Sequence, residues 1–208
     1  GGAARGVGGP LEKKYVGVFD AGGGTTDISI VFVALQAGRF DVIGTGGDPT
    51  LGGTDFDKAF IDCAILPKLR ARGHDTGYIA KQRRAVLRAH AEAAKIQVSR
   101  GRVATIKIPF DREGHLEKIA LRREELEECV RPLVERQVEL LRATVENASL
   151  SLSDLSEVYL VGGQAQAPLV QRRVRELLGS STAVHNEDPR IAVAMGACVL
   201  ASSHAGGQ

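Results

Sequence analysis

The stretch Phe19–Ser29, FDAGGGTTDIS, carries the strongest signal for the fold, because three consecutive glycines separate two apolar segments. The segments YVGVF before the glycines and ISIVFVAL after them are short and rich in apolar residues, a pattern typical of buried strands. Glycine lacks a Cβ atom, so its backbone approaches a ligand closely and presents N–H donors to an anion. The stretch predicts two strands joined by a phosphate-binding loop, although GGGTT alone would also suit a tight hairpin turn.

Further glycine clusters occur at Gly44–Gly53 and at Gly162-Gly163, each after a predicted strand. Glycine accounts for 25 of the 208 residues, against a usual frequency of about 7%. A strand follows Gly24 and no Gly-Lys-Ser/Thr does, which excludes a Walker loop and a dinucleotide fingerprint. Three glycine clusters at strand ends favour a nucleotide site, with the hydroxyls of Thr25 and Thr26 as additional donors.

Apolar periodicity and turn residues predict the remaining elements. Strands are expected at 15–20, 26–35, 39–44, 103–110, 115–121 and 158–161. Helices are expected from Asp55 to about 69–73 and at 78–99, 122–147, 168–178 and 191–201. The first helix should have Thr54 as its N-cap and Phe56, Phe60, Cys63 and Ala64 on one face. This order indicates an α/β fold in which one mixed layer is interrupted by a second subdomain.

The composition is that of a globular protein, with 43% hydrophobic and 25% charged residues. The 27 basic and 25 acidic residues leave a formal charge of +2. Such a balance gives no electrostatic reason to expect nucleic acid or a membrane as a partner. The chain begins GGAARGVGGP rather than with Met, which favours either a fragment of a longer protein or residues left by cloning.

The three cysteines, Cys63, Cys129 and Cys198, are far apart in the sequence and form no CxxC pair. Neither a disulfide framework nor a zinc site is therefore expected. This usage favours a reducing compartment, and we expect a cytoplasmic protein.

Five ordered motifs resemble the seventy-kilodalton heat-shock chaperone family, in its bacterial DnaK-like branch. FDAGGGTTDIS resembles the second phosphate loop of the family, and GGDPTLGGTDFD is similar to its adenosine-side loop. AEAAKIQVS resembles the adenine-binding helix, SDLSEVYLVGGQAQAP the second adenosine motif, and EDPRIAVAMGA the closing helix. The matches run in order from about Tyr15 to Ala201.

The resemblance implies the second lobe of an ATPase domain with the actin-like, ribonuclease-H-like fold. The core subdomain would comprise residues 12–52 plus 131–203, and the inserted outer subdomain residues 53–130. Residues 1–11 and 204–208 would be flexible ends. Hinges between the two subdomains are expected at Gly44–Gly53 and at Cys129–Pro132.

The resemblance also implies a role for each matched position. Nucleotide-binding residues would be Gly22, Gly23, Gly24, Thr25, Gly47, Glu92, Lys95, Ser99, Gly163, Gln164 and Gln166. Asp20 would orient a water on Mg²⁺ and act in catalysis together with Thr25. Glu92, Lys95 and Ser99 follow helical spacing and would hold ribose and adenine, although Glu92 and Lys95 would also suit a solvated ion pair.

Some positions depart from the family pattern. Ala165 and Gln166 stand where the family usually has Thr-Arg, and the Arg commonly stacks on adenine. Arg190 replaces an acidic residue, and Thr26 replaces an aromatic one. The phosphate side is intact, whereas the adenine side is altered.

The implied function is an ATP-binding lobe of a chaperone ATPase, with ATP or ADP and Mg²⁺ as cofactors. Hydrolysis would require the missing first lobe, because catalysis at a cleft needs both walls. Implied partners are that lobe, the substrate-binding domain, a nucleotide exchange factor and a J-domain co-chaperone. Two alternatives are an actin-like filament subunit and a sugar or acid kinase of the same superfamily.

Overall fold

The computed structural model describes residues 13–186, which form a five-stranded mixed sheet, a two-stranded hairpin and flanking helices. The strands are β1 Lys13–Ala21, β2 Thr26–Ala34, β3 Arg39–Asp48, β4 Val103–Pro109, β5 Leu116–Arg122, β6 Leu155–Val161 and β7 Ala183–Asn186. The helices are α1 Gly53–Phe60, α2 Leu66–Ala71, α3 Thr76–Gln82, α4 Arg84–Gly101, α5 Arg123–Asn147 and α6 Pro168–Leu178. The predicted flexible ends, the predicted helix at 191–201 and Arg190 lie outside the described residues.

The sheet has the strand order β3-β2-β1-β6-β7. Strand β2 is antiparallel to both β1 and β3, whereas β6 is parallel to β1 and to β7. Strands β1, β3 and β6 therefore run in one direction, and their carboxyl ends meet at the same sheet edge. That edge carries all three predicted glycine loops.

The two-stranded hairpin β4–β5 lies with α1 to α4 between β3 and α5 along the chain. Helix α5 packs across β2 and β3, and α6 packs beside α5. The expectation of one mixed layer with an interrupting α+β segment is confirmed in this arrangement. The proposed boundary at 130/131 falls inside α5, a single helix.

Strand β3 is longer than the sequence pattern predicted, because it continues through Gly44 to Asp48. A Cβ atom on Gly46 would lie 2.2 Å from the Thr144 hydroxyl oxygen, and one on Gly44 would lie 2.9 Å from the Cβ of Ala148. These two glycines let α5 approach the sheet, so the proposed hinge at Gly44–Gly53 is restricted to the short connection after Asp48.

The first helix begins earlier and is less regular than predicted. Its N-cap is Gly52, not Thr54, and the Gly52 N–H donates to the Asp55 carboxylate at 3.0 Å. A π-helical segment, Ile61–Ile65, joins α1 to α2. The wider turn rotates Cys63 out of the buried face expected for it, so Cys63 is exposed while Phe60 is buried.

The predicted helix at 78–99 is two helices, α3 and α4. Arg83 between them has φ −116° and ψ 19°, outside the helical range. Its guanidinium donates to the Asp111 carbonyl at 3.1 Å, which ties this break to the β4–β5 turn. Strand β7 had no signal in the sequence.

The structure contains one disulfide that the sequence did not predict. Cys63 and Cys129 form a disulfide, with Cα atoms 5.6 Å apart across 66 residues of sequence. Sequence separation carries no information about such a pair, because the packing of the π segment on α5 brings the two cysteines together. Among residues 13–186, no helix has the length and apolar character needed to cross a membrane.

Candidate functional site

Two glycine loops pack directly against each other at the sheet edge. The loop Gly22–Thr25 is closed by a hydrogen bond from the Gly22 N–H to the Thr25 carbonyl, at 3.0 Å. A Cβ atom on Gly52 would lie 2.3 Å from the carbonyl carbon of Gly24. The φ of Gly52, −121°, is open to any residue. Glycine at position 52 is therefore required by the contact between the loops.

The start of α1 holds the first glycine loop through its carbonyl groups. The Gly53 N–H donates to the Gly22 carbonyl at 3.0 Å, and the Thr54 N–H donates to the Gly23 carbonyl at 2.8 Å. The Thr54 hydroxyl donates to the same Gly23 carbonyl at 2.8 Å. No residue in 13–186 engages the N–H groups of Gly23 and Gly24. These two donors remain for an anion.

The third glycine loop closes behind the end of β1. Gly162 has a φ of +91°, and a Cβ atom there would lie 2.3 Å from the Ala21 carbonyl oxygen. That oxygen accepts hydrogen bonds from the N–H groups of Gln164 at 3.0 Å and Ala165 at 3.3 Å. A Cβ atom on Gly163 would meet nothing within 4 Å. The loop thus packs on β1 through Gly162 and leaves open space at Gly163.

A cavity of about 410 Å³ lies between these loops and α4. Its volume is within the range usual for small-molecule sites. It is lined by Gly22, Gly23, Gly53, Thr54, Asp57, Arg88, Ala89, Glu92, Lys95, Ile96, Gly163 and Gln164. All three glycine clusters contribute to this one wall.

A nearly buried ion pair joins α4 to α1 at the base of the cavity. The Lys95 ammonium lies 2.9 Å from Asp57 Oδ1, with side-chain exposures of 12% and 10%. The ammonium also donates to the Gly53 carbonyl at 2.9 Å. Burial raises the pKa of Asp57, while the hydrogen bond and charge of Lys95 act in the opposite direction. One of the three Lys95 donors is thus committed to the Gly53 carbonyl, while the contact with Asp57 Oδ1 is an ion pair.

Gln164 provides a buried polar group without a partner. Its side chain is 5% exposed, and its Nε2 has no hydrogen-bond partner among the described residues. Gln164 and Lys95 separate the main cavity from a smaller one of about 20 Å³, which Ser99 lines. An unpartnered buried amide beside a cavity indicates a place for a polar ligand.

The carboxylates and threonines of the β1–β2 hairpin have distinct surroundings. Asp20 is exposed and pairs across the strands with Asp27. Partial loss of hydration, followed by the charge of Asp27, raises the pKa of Asp20. The exposed Thr25 hydroxyl donates to the Asp27 carboxylate at 2.8 Å.

The Thr26 hydroxyl is not available to a phosphate group, contrary to expectation. Thr26 is buried, and its hydroxyl donates to the Leu51 carbonyl while accepting from the Gln137 amide at 2.8 Å. The small polar side chain fixes the loop before α1 against the sheet and α5. This internal bonding explains how the fold accommodates Thr at a position where the family usually has an aromatic residue.

The predicted nucleotide residues fall into three groups. Those that line the cavity are Gly22, Gly23, Glu92, Lys95, Gly163 and Gln164. Asp20, Gly24 and Thr25 lie in the same hairpin but outside the lining, and Ser99 lines the smaller cavity. Gly47 lies in β3 opposite Asp27, and Gln166 is exposed; neither belongs to the lining.

Six lining residues were not predicted as site residues: Gly53, Thr54, Asp57, Arg88, Ala89 and Ile96. Arg88 and Ile96 are each four residues from Glu92, so the helical spacing that selected Glu92 also indicated them. Asp57 had no comparable signal, because its ion pair with Lys95 spans 38 residues of sequence and depends on the packing of α1 on α4.

Comparison with known proteins gives consistent matches over almost the whole chain. A family model described as Hsp70 protein matches residues 4–208. The chaperone protein DnaK of Burkholderia cenocepacia (strain HI2424) is 38% identical over 200 residues, which cover 91% of this chain and 30% of that protein. The chaperone protein DnaK of Burkholderia orbicola (strain MC0-3) matches with the same identity and coverage. The chain spans about 30% of the length of these curated relatives.

Proposed function

The chain belongs to the Hsp70 protein family, and from this we propose that it is the second lobe of a chaperone ATPase domain and forms one wall of its nucleotide cleft. The fold is the actin-like ATPase fold of that family, as the sequence predicted. The observation that carries the proposal is the convergence of three glycine loops on one cavity of about 410 Å³. No observation favours the filament or sugar-kinase alternatives.

The phosphate side of the cavity suits ATP or ADP. Side chains at Gly23 and Gly24 would project into space with no neighbour within 4 Å, so the backbone there is open to phosphate oxygens. The free N–H groups of these two glycines would donate to the phosphates. Asp20, exposed at the foot of the loop, would orient a water on Mg²⁺, and Thr25 would act beside it in catalysis. The bound Mg²⁺ would neutralise phosphate charge.

The nucleoside side is formed by α4 and the third glycine loop. We propose that Glu92 binds the ribose hydroxyls and that Ile96, which is 44% exposed, offers an apolar surface to the base. Gln164 would direct its unpartnered Nε2 to a nucleoside acceptor. Lys95 would position α4 and offer a donor that the Gly53 carbonyl does not use. We propose more distant contacts to the nucleotide from Ser99, Gly47 and Gln166.

The chain covers about 30% of the length of its relatives, and we propose the role of the longer protein from its family. The missing first lobe would complete the ATPase site, and nucleotide state would control peptide binding in a substrate-binding domain. A nucleotide exchange factor and a J-domain co-chaperone would act on this cycle. We propose that the longer protein works in the cytoplasm and takes part in a stress response.

The proposal is tested by titrating the chain with Mg²⁺·ADP while backbone amides are followed by NMR. We expect the amides of Gly22–Thr25 and of Gly163 to shift with one common dissociation constant. Gly23→Val should weaken binding at least tenfold, because its side chain would occupy the phosphate path. Gly101→Val is the matched control, since Gly101 also has open space around it but lies at the far end of α4. Titration without shifts in the glycine loops would refute the proposal.

A further inference from the structure

The disulfide between Cys63 and Cys129 joins the π segment to α5, and its two cysteines are 66 residues apart in the sequence. Cys63 lies in the π segment and is exposed, whereas Cys129 lies in α5 and is half-buried. Their Cα atoms are 5.6 Å apart, which is a usual separation for a disulfide. Because Cys63 faces solvent, a small thiol or disulfide reagent can reach it.

The bond connects α5 to the wall of the cavity. Residues 53–71 run as one helical rod through α1, the π segment and α2. The first turn of this rod, at Gly53 and Thr54, lines the cavity and holds the Gly22–Thr25 loop. Cys63 lies ten residues further along, about 15 Å at the helical rise. Any restraint on Cys63 therefore limits how far the rod can tilt away from α5.

Apolar packing holds the rod on α5 independently of the disulfide. Phe60 and Ala64 of the rod are buried in the same core as Leu126, Val130 and Val134 of α5. We expect that contact to persist when the sulfur–sulfur bond is broken, because the apolar side chains stay buried without it. The oxidised and reduced forms should then share one fold and differ in one covalent restraint.

We propose that Cys63 and Cys129 form a reversible thiol–disulfide site whose oxidation stiffens the wall of the cavity. Oxidation joins the two sulfurs and releases two protons and two electrons. A low-molecular-weight disulfide such as oxidised glutathione accepts them by exchange at Cys63 and leaves as two thiols. Reduction by the corresponding thiol runs the same steps backwards. Such a pair is compatible with a reducing compartment, where stable disulfides are rare.

The test uses the full chain with Cys198→Ser, so that free thiols report the pair alone. The protein is equilibrated with reduced or oxidised glutathione, and thiols are counted with a maleimide under native and unfolded conditions. We expect millimolar reduced glutathione to open the bond in the folded protein, and oxidised glutathione to restore it. The oxidised form should melt roughly 10 °C higher, as expected for closing a loop of this length. A bond that resists reduction until the protein unfolds would overturn the proposal.

The stiffening is measured by amide hydrogen exchange in residues 53–60. Exchange should be at least threefold slower in the oxidised form than in the reduced form. The variant Cys63→Ser/Cys129→Ser is the control, and it should exchange like the reduced form under both conditions. Equal exchange in the oxidised and reduced proteins would overturn the proposal.

A final arm, which rests on the proposed function, measures the dissociation of Mg²⁺·ADP from the two forms. We expect slower dissociation from the oxidised form, because the wall that holds the phosphate loop opens less often. The exchange experiment requires no nucleotide, so a protein that binds none would refute the proposed function and leave the redox site supported. Equal dissociation from both forms would overturn the link between the redox site and the cavity.

Discussion

The contact between Gly52 and Gly24 leaves no space for a side chain on Gly52. We predict that Gly52→Ala lowers the free energy of unfolding by about 1–3 kcal/mol, as overpacking does elsewhere. Gly23→Ala is the matched control, because a Cβ atom there meets nothing within 4 Å, and its effect should be within about 0.5 kcal/mol. Urea unfolding measures both, and equal stabilities would contradict the proposed packing of the loops.

The Asp57–Lys95 ion pair makes a second prediction. Lys95→Met should lower the free energy of unfolding at neutral pH by about 3 kcal/mol, since it leaves a buried carboxylate without its partner. The double variant Asp57→Asn/Lys95→Met should recover most of this loss, because neither charge remains. Urea unfolding of the three proteins measures the recovery, and an unrecovered double variant would show that the lysine stem, not the charge pair, stabilises the site.

The Asp57–Lys95 pair also predicts how the stability loss of Lys95→Met changes with pH. Burial raises the pKa of Asp57, so the penalty for its charge is absent below the ordinary carboxyl range and grows as pH rises through the raised pKa. Lys95→Met removes the main group that lowers the pKa of Asp57 and leaves the weaker effect of the Arg88 charge. Its deficit relative to the wild type should therefore shrink as pH falls, and a deficit independent of pH would argue against an ionised Asp57.

At the scale of elements, α5 contains Pro132 within a continuous helix of 25 residues. A proline inside a helix removes a backbone hydrogen bond and crowds the preceding turn. We predict that Pro132→Ala raises the free energy of unfolding by about 1–3 kcal/mol. Pro168→Ala is the control, because Pro168 is the first residue of α6, where proline is well tolerated. Denaturant unfolding measures the free energy of unfolding of both variants. Equal increases from the two substitutions would contradict a local strain at Pro132.

For the whole molecule, one contiguous core joins residues of the five-stranded sheet with residues of the β4–β5 hairpin and its helices. We therefore predict a folded chain that binds nucleotide at one wall but hydrolyses ATP no faster than a buffer blank. The reason is that hydrolysis at a cleft needs both walls, and the proposed first lobe would supply the second one. Phosphate release measures this, and turnover that Asp20→Ala abolishes would contradict it.

Much of the fold was predictable because its signals are local. The β1–β2 hairpin, the span of α6 and the strand positions follow from apolar periodicity and from glycine and proline. The end of β3 was missed because glycine is usually unfavourable within strands. Here a side chain at Gly44 or Gly46 would clash with residues at the end of α5, so glycine is needed for the helix to pack on the strand. The split of the predicted 78–99 helix was missed because the Arg83 bond to Asp111 links distant positions.

The family, the fold class and half of the residues that line the cavity follow from the sequence alone, because motif residues and helical spacing carry that information locally. Three other features are visible only in the folded chain: the Thr26 hydroxyl donates a hydrogen bond inside the protein, Lys95 pairs with Asp57, and Cys63 is bonded to Cys129. Each of these depends on two elements meeting at a set distance and orientation. That geometry results from packing of the whole core, which no stretch of sequence expresses alone.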